Sequence, residues 1–130
     1  MTAARIGPSG IFFAVATITE ALVGLGMVVD PAFVIGLVLG ADLSGTGTLV
    51  GRFFGIALLA LVAACWPGRD LAPSGARVFA GLLVYNIAFA VFVAYLGTSG
   101  NFRGVLLWPA VAFHAAVAVW LIVVWRARLS

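Results

Sequence analysis

The residues best suited to chemistry in this sequence are a few polar side chains set inside long apolar segments. Glu20 lies at the middle of the stretch IFFAVATITEALVGLGMVV. Ionisable groups at such positions in a membrane cost at least about 2.5 kcal/mol on insertion scales, so they normally face the protein interior and pair with one another. With alternating spans, the sequence predicts a mid-membrane polar cluster whose members are Glu20, Arg52, Asn86 and His114, extended by the hydroxyl groups of Thr17 and Tyr85.

The expected partner of Glu20 is one of three side chains of this cluster. Arg52 is the first choice, because its guanidinium group cannot lose its charge and Glu20 is the only acidic residue inside a span. His114 is the second choice, and Asn86 is the remaining candidate. Two interpretations of the cluster remain open: it binds a ligand or a proton, or it only ties the helices together, with His114 as a satisfied interior histidine and Asn86 as a packing residue.

Enzymatic chemistry has little support in the sequence. The chain has one histidine and one cysteine, whereas zinc and iron sites need several such ligands in suitable geometry. The serines Ser44, Ser74 and Ser99 have no histidine close in sequence, and there is no phosphate-binding loop. We therefore expect no enzyme activity, no metal and no cofactor, and we interpret Cys65 as a small packing residue.

The elements that must position these residues are membrane helices. Hydrophobic residues make up 65% of the chain and charged residues 8%, and the mean hydropathy is +1.25, which is typical of an integral membrane protein. Four segments are long enough to cross a bilayer as helices. They predict one all-α domain over residues 1–130, an antiparallel four-helix bundle with spans at about 11–29, 48–66, 77–95 and 105–125.

The charged residues predict how the helices are oriented. Five of the seven arginines fall on one side of the predicted spans, namely Arg5, Arg69, Arg77, Arg126 and Arg128, while Arg52 and Arg103 fall on the other. The side rich in arginine is expected to be cytoplasmic, so both termini should be cytoplasmic, in a bacterial inner membrane. The first segment is interpreted as an uncleaved helix and not as a secretion signal.

A short apolar segment, Ala32 to Leu39, lies between the first two spans and is too short to cross a bilayer. It is expected to stay at the outer membrane interface. Tryptophan and tyrosine at the ends of spans, namely Trp66, Trp108, Trp125 and Tyr95, are typical of the aromatic belts at the two membrane surfaces.

Small residues at intervals of four mark helix faces that can pack closely. The second span has the clearest case, with Gly47, Gly51 and Gly55 in one row. In the first span Ala16 and Gly24 flank Glu20, and in the fourth Ala110 and Ala118 flank His114. In both spans the polar residue therefore shares the stripe predicted to face another helix.

Three runs of the sequence resemble a known family. They are GRFFGIALLALVAACWPGRD, GLLVYNIAFAVFVAYLG and GVLLWPAVAFHAAVAVWLI. They are similar to a widespread family of small bacterial inner-membrane proteins, distantly DoxX-like, and the similarity extends over about Asp30 to Trp125. Its more specific parts are Gly51-Arg52, the Cys-Trp-Pro at Cys65 to Pro67, Tyr85-Asn86, and Trp108-Pro109 followed by His114. The resemblance implies an antiparallel four-helix membrane bundle and no particular activity.

Two functions are compatible with these features. In the first, the chain is a non-catalytic membrane protein, a homo-oligomer or an accessory subunit of a larger complex, whose partners are lipids and other copies or subunits. In the second, it is a minimal transporter or binding protein for a proton, an ion or a small apolar ligand such as a quinone or a lipid. Nucleic acid is not an expected partner, because the arginines are scattered along the chain and form no basic patch.

Overall fold

The computed structural model describes residues 8–65 and 75–129, and within these ranges the side chains of 10–65 and 79–127. This part of the chain forms five helices and no strand, which confirms the all-α class. The helices are α1 Pro8–Val29, α2 Pro31–Leu39, α3 Gly45–Ala64, α4 Gly75–Thr98 and α5 Leu107–Leu129.

Four of these helices are long and apolar enough to cross a membrane. The qualifying segments are Gly10–Val29, Gly45–Ala64, Phe79–Thr98 and Leu107–Ala127. They agree with the predicted spans, although α3 begins three residues before its predicted start and α4 ends three residues after its predicted end. Trp66, Pro67, Arg5, Arg69 and Ser74 lie outside the described residues.

The long helices pack as two antiparallel pairs, α1 with α3 and α4 with α5. In the first pair the backbones meet at glycine: a Cβ atom on Gly55 would lie 2.7 Å from the carbonyl oxygen of Gly24. Gly51 packs closely against side-chain atoms of Met27 on α1 and Pro31 on α2. Gly24 of α1 meets Gly55 of α3, and the later residue Met27 meets the earlier residue Gly51. The two helices are therefore antiparallel. The close packing predicted for Gly51 and Gly55 is confirmed.

Gly47 was expected to belong to the same packing row, and this prediction is wrong. The three atoms nearest to a Cβ atom on Gly47 would all belong to Leu43 and Ser44, which precede its own helix, and none of the three belongs to another helix. The reason is that Gly47 lies in the first turn of α3, beyond the point at which α1 ends and the chain turns into α2.

The helix α2 covers one end of the bundle. It begins with the side chain of Asp30 accepting a hydrogen bond from the Phe33 N–H, and it ends at Gly40, whose φ of 66° is left-handed. The loop between α4 and α5 then caps it, because the N–H of Arg103 donates to the Leu39 carbonyl and that of Leu106 to the Leu37 carbonyl. The short apolar segment expected between the first two spans therefore forms a helix, and its depth in a membrane stays a prediction.

Between the two helix pairs runs a seam, which we define by the polar cluster of Glu20, Asn86 and His114 and by the aromatic contacts beside it. Trp120 of α5 packs on Phe12 and Phe13 of α1, with ring centroids 5.2 and 5.9 Å apart. Long side chains thus join the two pairs here, whereas glycines let α1 and α3 touch through their backbones. The seam is where the fold has room for polar groups.

The outer surface is apolar, as a lipid-facing surface requires. Large side chains such as Leu22, Val29 and Phe53 are about two-thirds exposed. Trp108, Trp125 and Tyr95 are exposed near helix ends, in accordance with the predicted aromatic belts.

Candidate functional site in the seam between the helix pairs

Glu20 faces the bundle interior and has partners on both helices of the opposite pair. Its Oε1 atom lies 3.6 Å from Nδ1 of His114 on α5, and the side chains of the two residues are only 15% and 7% exposed. The hydroxyl group of Tyr85 on α4 donates to Oε2 across 3.4 Å. Glu20 was predicted to face the bundle interior and to be hydrogen-bonded or paired with at least one of Arg52, Asn86 and His114, and the structure pairs it with His114.

Asn86 determines which nitrogen of His114 carries hydrogen. The Asn86 amide nitrogen donates to the Leu82 carbonyl across 2.8 Å, one turn earlier on α4. Its Oδ1 atom, which can only accept, therefore faces Nδ1 of His114 at 2.9 Å. Nδ1 must carry the hydrogen, and Nε2 is the nitrogen at which the neutral ring can take up a further proton.

Three aromatic rings surround His114. The ring centroids of Phe89, Phe113 and Tyr85 lie 4.0, 5.3 and 5.6 Å from that of the imidazole. The Phe89 ring is tilted at 39° to the imidazole, whereas the rings of Phe113 and Tyr85 are nearly perpendicular to it, at 86° and 81°. Sequence reasoning missed Phe89 and Phe113. The available signal for Phe89 was spacing, because it lies one helical turn after Tyr85, whereas no spacing pattern pointed to Phe113.

Arg52, the first-choice partner for Glu20, is not part of this cluster, and that prediction is wrong. Arg52 is exposed on the outer face of α3. Because Gly24 lies opposite Gly55 in the antiparallel pair, Glu20 is level with Leu59. That is seven residues beyond Arg52, or about 10 Å along the helix axis at about 1.5 Å per residue. Both the axial distance and the direction of the side chain separate the two charges.

Thr17 is close to the cluster but uses its hydroxyl group elsewhere. The side chain is buried, at 6% exposure, and its hydroxyl donates to the Phe13 carbonyl one turn earlier across 2.8 Å. Thr17 therefore contributes to the wall of the site and not to the hydrogen-bond network around Glu20.

A cavity of about 40 Å³ adjoins the cluster. Glu20, Tyr85 and Asn86 form its polar wall, and the rest of its lining is mainly apolar. Cys65, whose sequence context predicted only a packing role, is buried and lines this cavity as well. It follows Leu58 and Val62, two buried residues of α3, at intervals of four and three. That buried stripe was the signal that could have placed Cys65 at the site.

The arrangement can hold a proton and form hydrogen bonds. Glu20 and His114 together can bind one proton in two ways, as a carboxylic acid beside a neutral imidazole or as a carboxylate beside an imidazolium. In the described residues there is no group of three or more His, Cys, Asp and Glu side chains that could hold a metal ion. None of the protein-family profiles, curated proteins and solved structures with which the chain was compared matches it.

Proposed function

We propose that the chain is a small non-catalytic membrane protein that binds a proton or a small ligand at the Glu20–His114 pair in the seam. The observation that supports this function is the position of two titratable side chains 3.6 Å apart beside a cavity. Ionisable residues placed inside membrane spans usually mark sites of ion, proton or ligand binding. A bacterial inner-membrane location with cytoplasmic termini, and membership of the family described above, remain part of the proposal.

The surroundings of the pair favour binding over a purely structural tie. A tie between helices needs one hydrogen bond, whereas Glu20 has a partner on α4 and another on α5, and its polar neighbours also face a cavity. The buried side-chain nitrogen and oxygen atoms of the described residues all have hydrogen-bond partners. The site is therefore held in one arrangement before any ligand binds, which lowers the entropy cost of binding.

The proposal is tested by infrared titration of the purified protein in lipid nanodiscs. A protonated carboxylic acid has its own carbonyl stretch, so the wild-type protein should show a band that appears and disappears with pH. The band should be absent in Glu20→Gln. It should remain in Asp42→Asn, the matched control, because Asp42 is exposed. A titration that is the same in the wild type and in Glu20→Gln would overturn the proposal.

A second candidate function, that of an accessory subunit or homo-oligomer, is favoured by the outer face of α4. An open apolar groove of about 630 Å³ lies there, lined by Val84, Ile87, Ala88, Val91, Phe92 and Tyr95. Purification from native membranes in mild detergent tests this function. Larger subunits or further copies that co-purify with the wild type, and are lost in Ala88→Trp, would support it. A monomer without other subunits would contradict it.

A further inference from the structure

We infer that the ligand of the seam site is a proton carried by water, and that it reaches Glu20 from only one end of the bundle. That end, which we call the α3–α4 end, is where α3 stops and α4 starts. The opposite end, covered by α2, we call the α2 end. The inference rests on the proposed function and narrows it, because it selects one ligand and one route from those that the site could serve.

The size of the cavity selects the ligand. One water molecule needs a space of about 10–15 Å³, so a cavity of about 40 Å³ accommodates roughly three waters. Pockets that bind drug-sized molecules have volumes of about 300–1,000 Å³. A quinone ring or a lipid chain does not fit beside Glu20 in this arrangement, whereas a short row of water molecules does.

The residues that line the cavity show towards which end of the bundle it extends. On α1 the lining runs from Glu20 back to Phe13, about 10 Å towards the start of the helix at about 1.5 Å per residue. On α3 it consists of Leu61, Val62 and Cys65, at the end of that helix. The cavity therefore extends from the Glu20–His114 pair towards the α3–α4 end.

Towards the α2 end the bundle is filled. Met27, Leu58, Val93 and Leu107 are only 1–4% exposed there, and the close contact of Gly24 with Gly55 leaves no space between α1 and α3. Helix α2 and the loop between α4 and α5 are then joined by backbone hydrogen bonds across this end. In particular, a Cβ atom on Gly104 would collide with the carbonyl group of Val38.

Proton exchange follows from this geometry. A hydronium ion in the cavity gives its proton to the Glu20–His114 pair and remains as water, and release reverses the same step. The titratable groups that face the pair or its cavity are Glu20 from α1, Cys65 from α3, Tyr85 from α4 and His114 from α5, and α2 contributes none. In this arrangement the protein exchanges protons with one compartment, as a proton-binding sensor does.

Cys65 allows a direct test, because it is the single cysteine of the chain and lies on the route. The probe is Ag⁺, which is small and binds thiols. It is added briefly to sealed right-side-out or inside-out membrane vesicles containing the full chain, excess Ag⁺ is removed, and free thiols are labelled with a fluorescent maleimide in denaturant. Ag⁺ on the side of the α3–α4 end should abolish labelling of Cys65. Ag⁺ on the other side should leave labelling intact.

Two variants serve as matched controls, each in a Cys65→Ala background. Ala63→Cys places a thiol at the same depth on the exposed face of α3, and Met27→Cys places one in the filled region near α2. Both should be labelled in full after Ag⁺ treatment from either side. Blocking of Cys65 from both sides, only from the α2 end, or from neither side would overturn the inference about the route.

The infrared titration separates this inference from the proposed function. If the Glu20 band titrates while Cys65 is blocked from both sides, the one-sided route is wrong and the proton site stands. If the Glu20 band does not titrate, the proton site itself is wrong, whatever the labelling shows. A short-chain quinone that shifts the Glu20 band in a saturable manner would show that the ligand is not restricted to a proton carried by water.

Discussion

Asn86 orients His114 and thereby joins the Glu20–His114 pair into a network of three side chains. By donating to its own helix, its amide group turns its oxygen towards His114, and this places the hydrogen of the neutral imidazole on Nδ1, the nitrogen nearest to Glu20. The pair is therefore one network in which a change at one residue alters the energy of the others. Such a network can be distinguished from independent packing contacts by measurement.

The corresponding prediction concerns Glu20→Gln combined with Asn86→Leu. Because both residues contact Nδ1 of His114, the destabilisation of the double variant should differ from the sum of the single ones. Hydrogen bonds between membrane helices average about 0.6 kcal/mol and reach about 1.7 kcal/mol in such cycles. The measurement is the free energy of unfolding in mixed detergent micelles titrated with sodium dodecyl sulfate.

The control for this cycle pairs Glu20→Gln with Arg52→Gln. Arg52 is exposed and lies on the outer face of α3, so its effect should be within about 0.5 kcal/mol and should add to that of Glu20→Gln. A coupling energy for Arg52 as large as that for Asn86 would contradict a network of Glu20, Asn86 and His114.

Helices in the bundle pack at different distances, and two glycines in different surroundings show this. In the α1–α3 pair, Gly55 lets the two backbones touch, whereas a Cβ atom on Gly81 of α4 would have no atom of another helix within 4 Å. Both glycines lie inside helices, so replacing either one by alanine changes helix propensity in the same way. Only the replacement of Gly55 also disturbs a close contact between helices.

We expect Gly55→Ala to destabilise the protein by about 1–3 kcal/mol, because the added Cβ would meet backbone atoms of α1 that cannot move aside separately. Gly81→Ala should be neutral or stabilising by up to about 1 kcal/mol, since alanine favours a helix over glycine. Unfolding titrations of the two variants under the same conditions provide the measurement. Equal effects would show that α1 and α3 are not in backbone contact.

For the molecule as a whole, the two ends of the bundle differ. The α2 end is covered by a helix and a hydrogen-bonded loop, while the α3–α4 end is the one to which the cavity extends. The arginine distribution predicts that the α3–α4 end faces the cytoplasm. A proton site reached from that end would respond to cytoplasmic pH.

Reporter fusions test this orientation. A reporter attached after Ser130 should be active in the cytoplasm, because the terminal segment carries arginine, and one inserted in the loop at residues 98–103 should be active outside. As a control, removal of positive charge by Arg126→Gln and Arg128→Gln should weaken the preference. A cytoplasmic loop reporter in the unmodified protein would reverse the orientation and with it the compartment that the site senses.

The sequence by itself determined the number of long helices and the polar residues that must avoid lipid. Both depend on local properties: a continuous apolar run of sufficient length forms a spanning helix, and a carboxyl group within it is too costly to expose to lipid. For the same reason the inward direction of Glu20, and the close packing at Gly51 and Gly55, could be predicted before any contact was known.

The tertiary structure alone decided which residues meet. The choice of His114 over Arg52 depends on the alignment of α1 with α3, which the contact of Gly24 with Gly55 determines. The roles of Phe89 and Cys65 depend on how α4 and α3 are rotated about their own axes. No local pattern specifies such shifts and rotations, because they result from the fit of whole helix surfaces to one another.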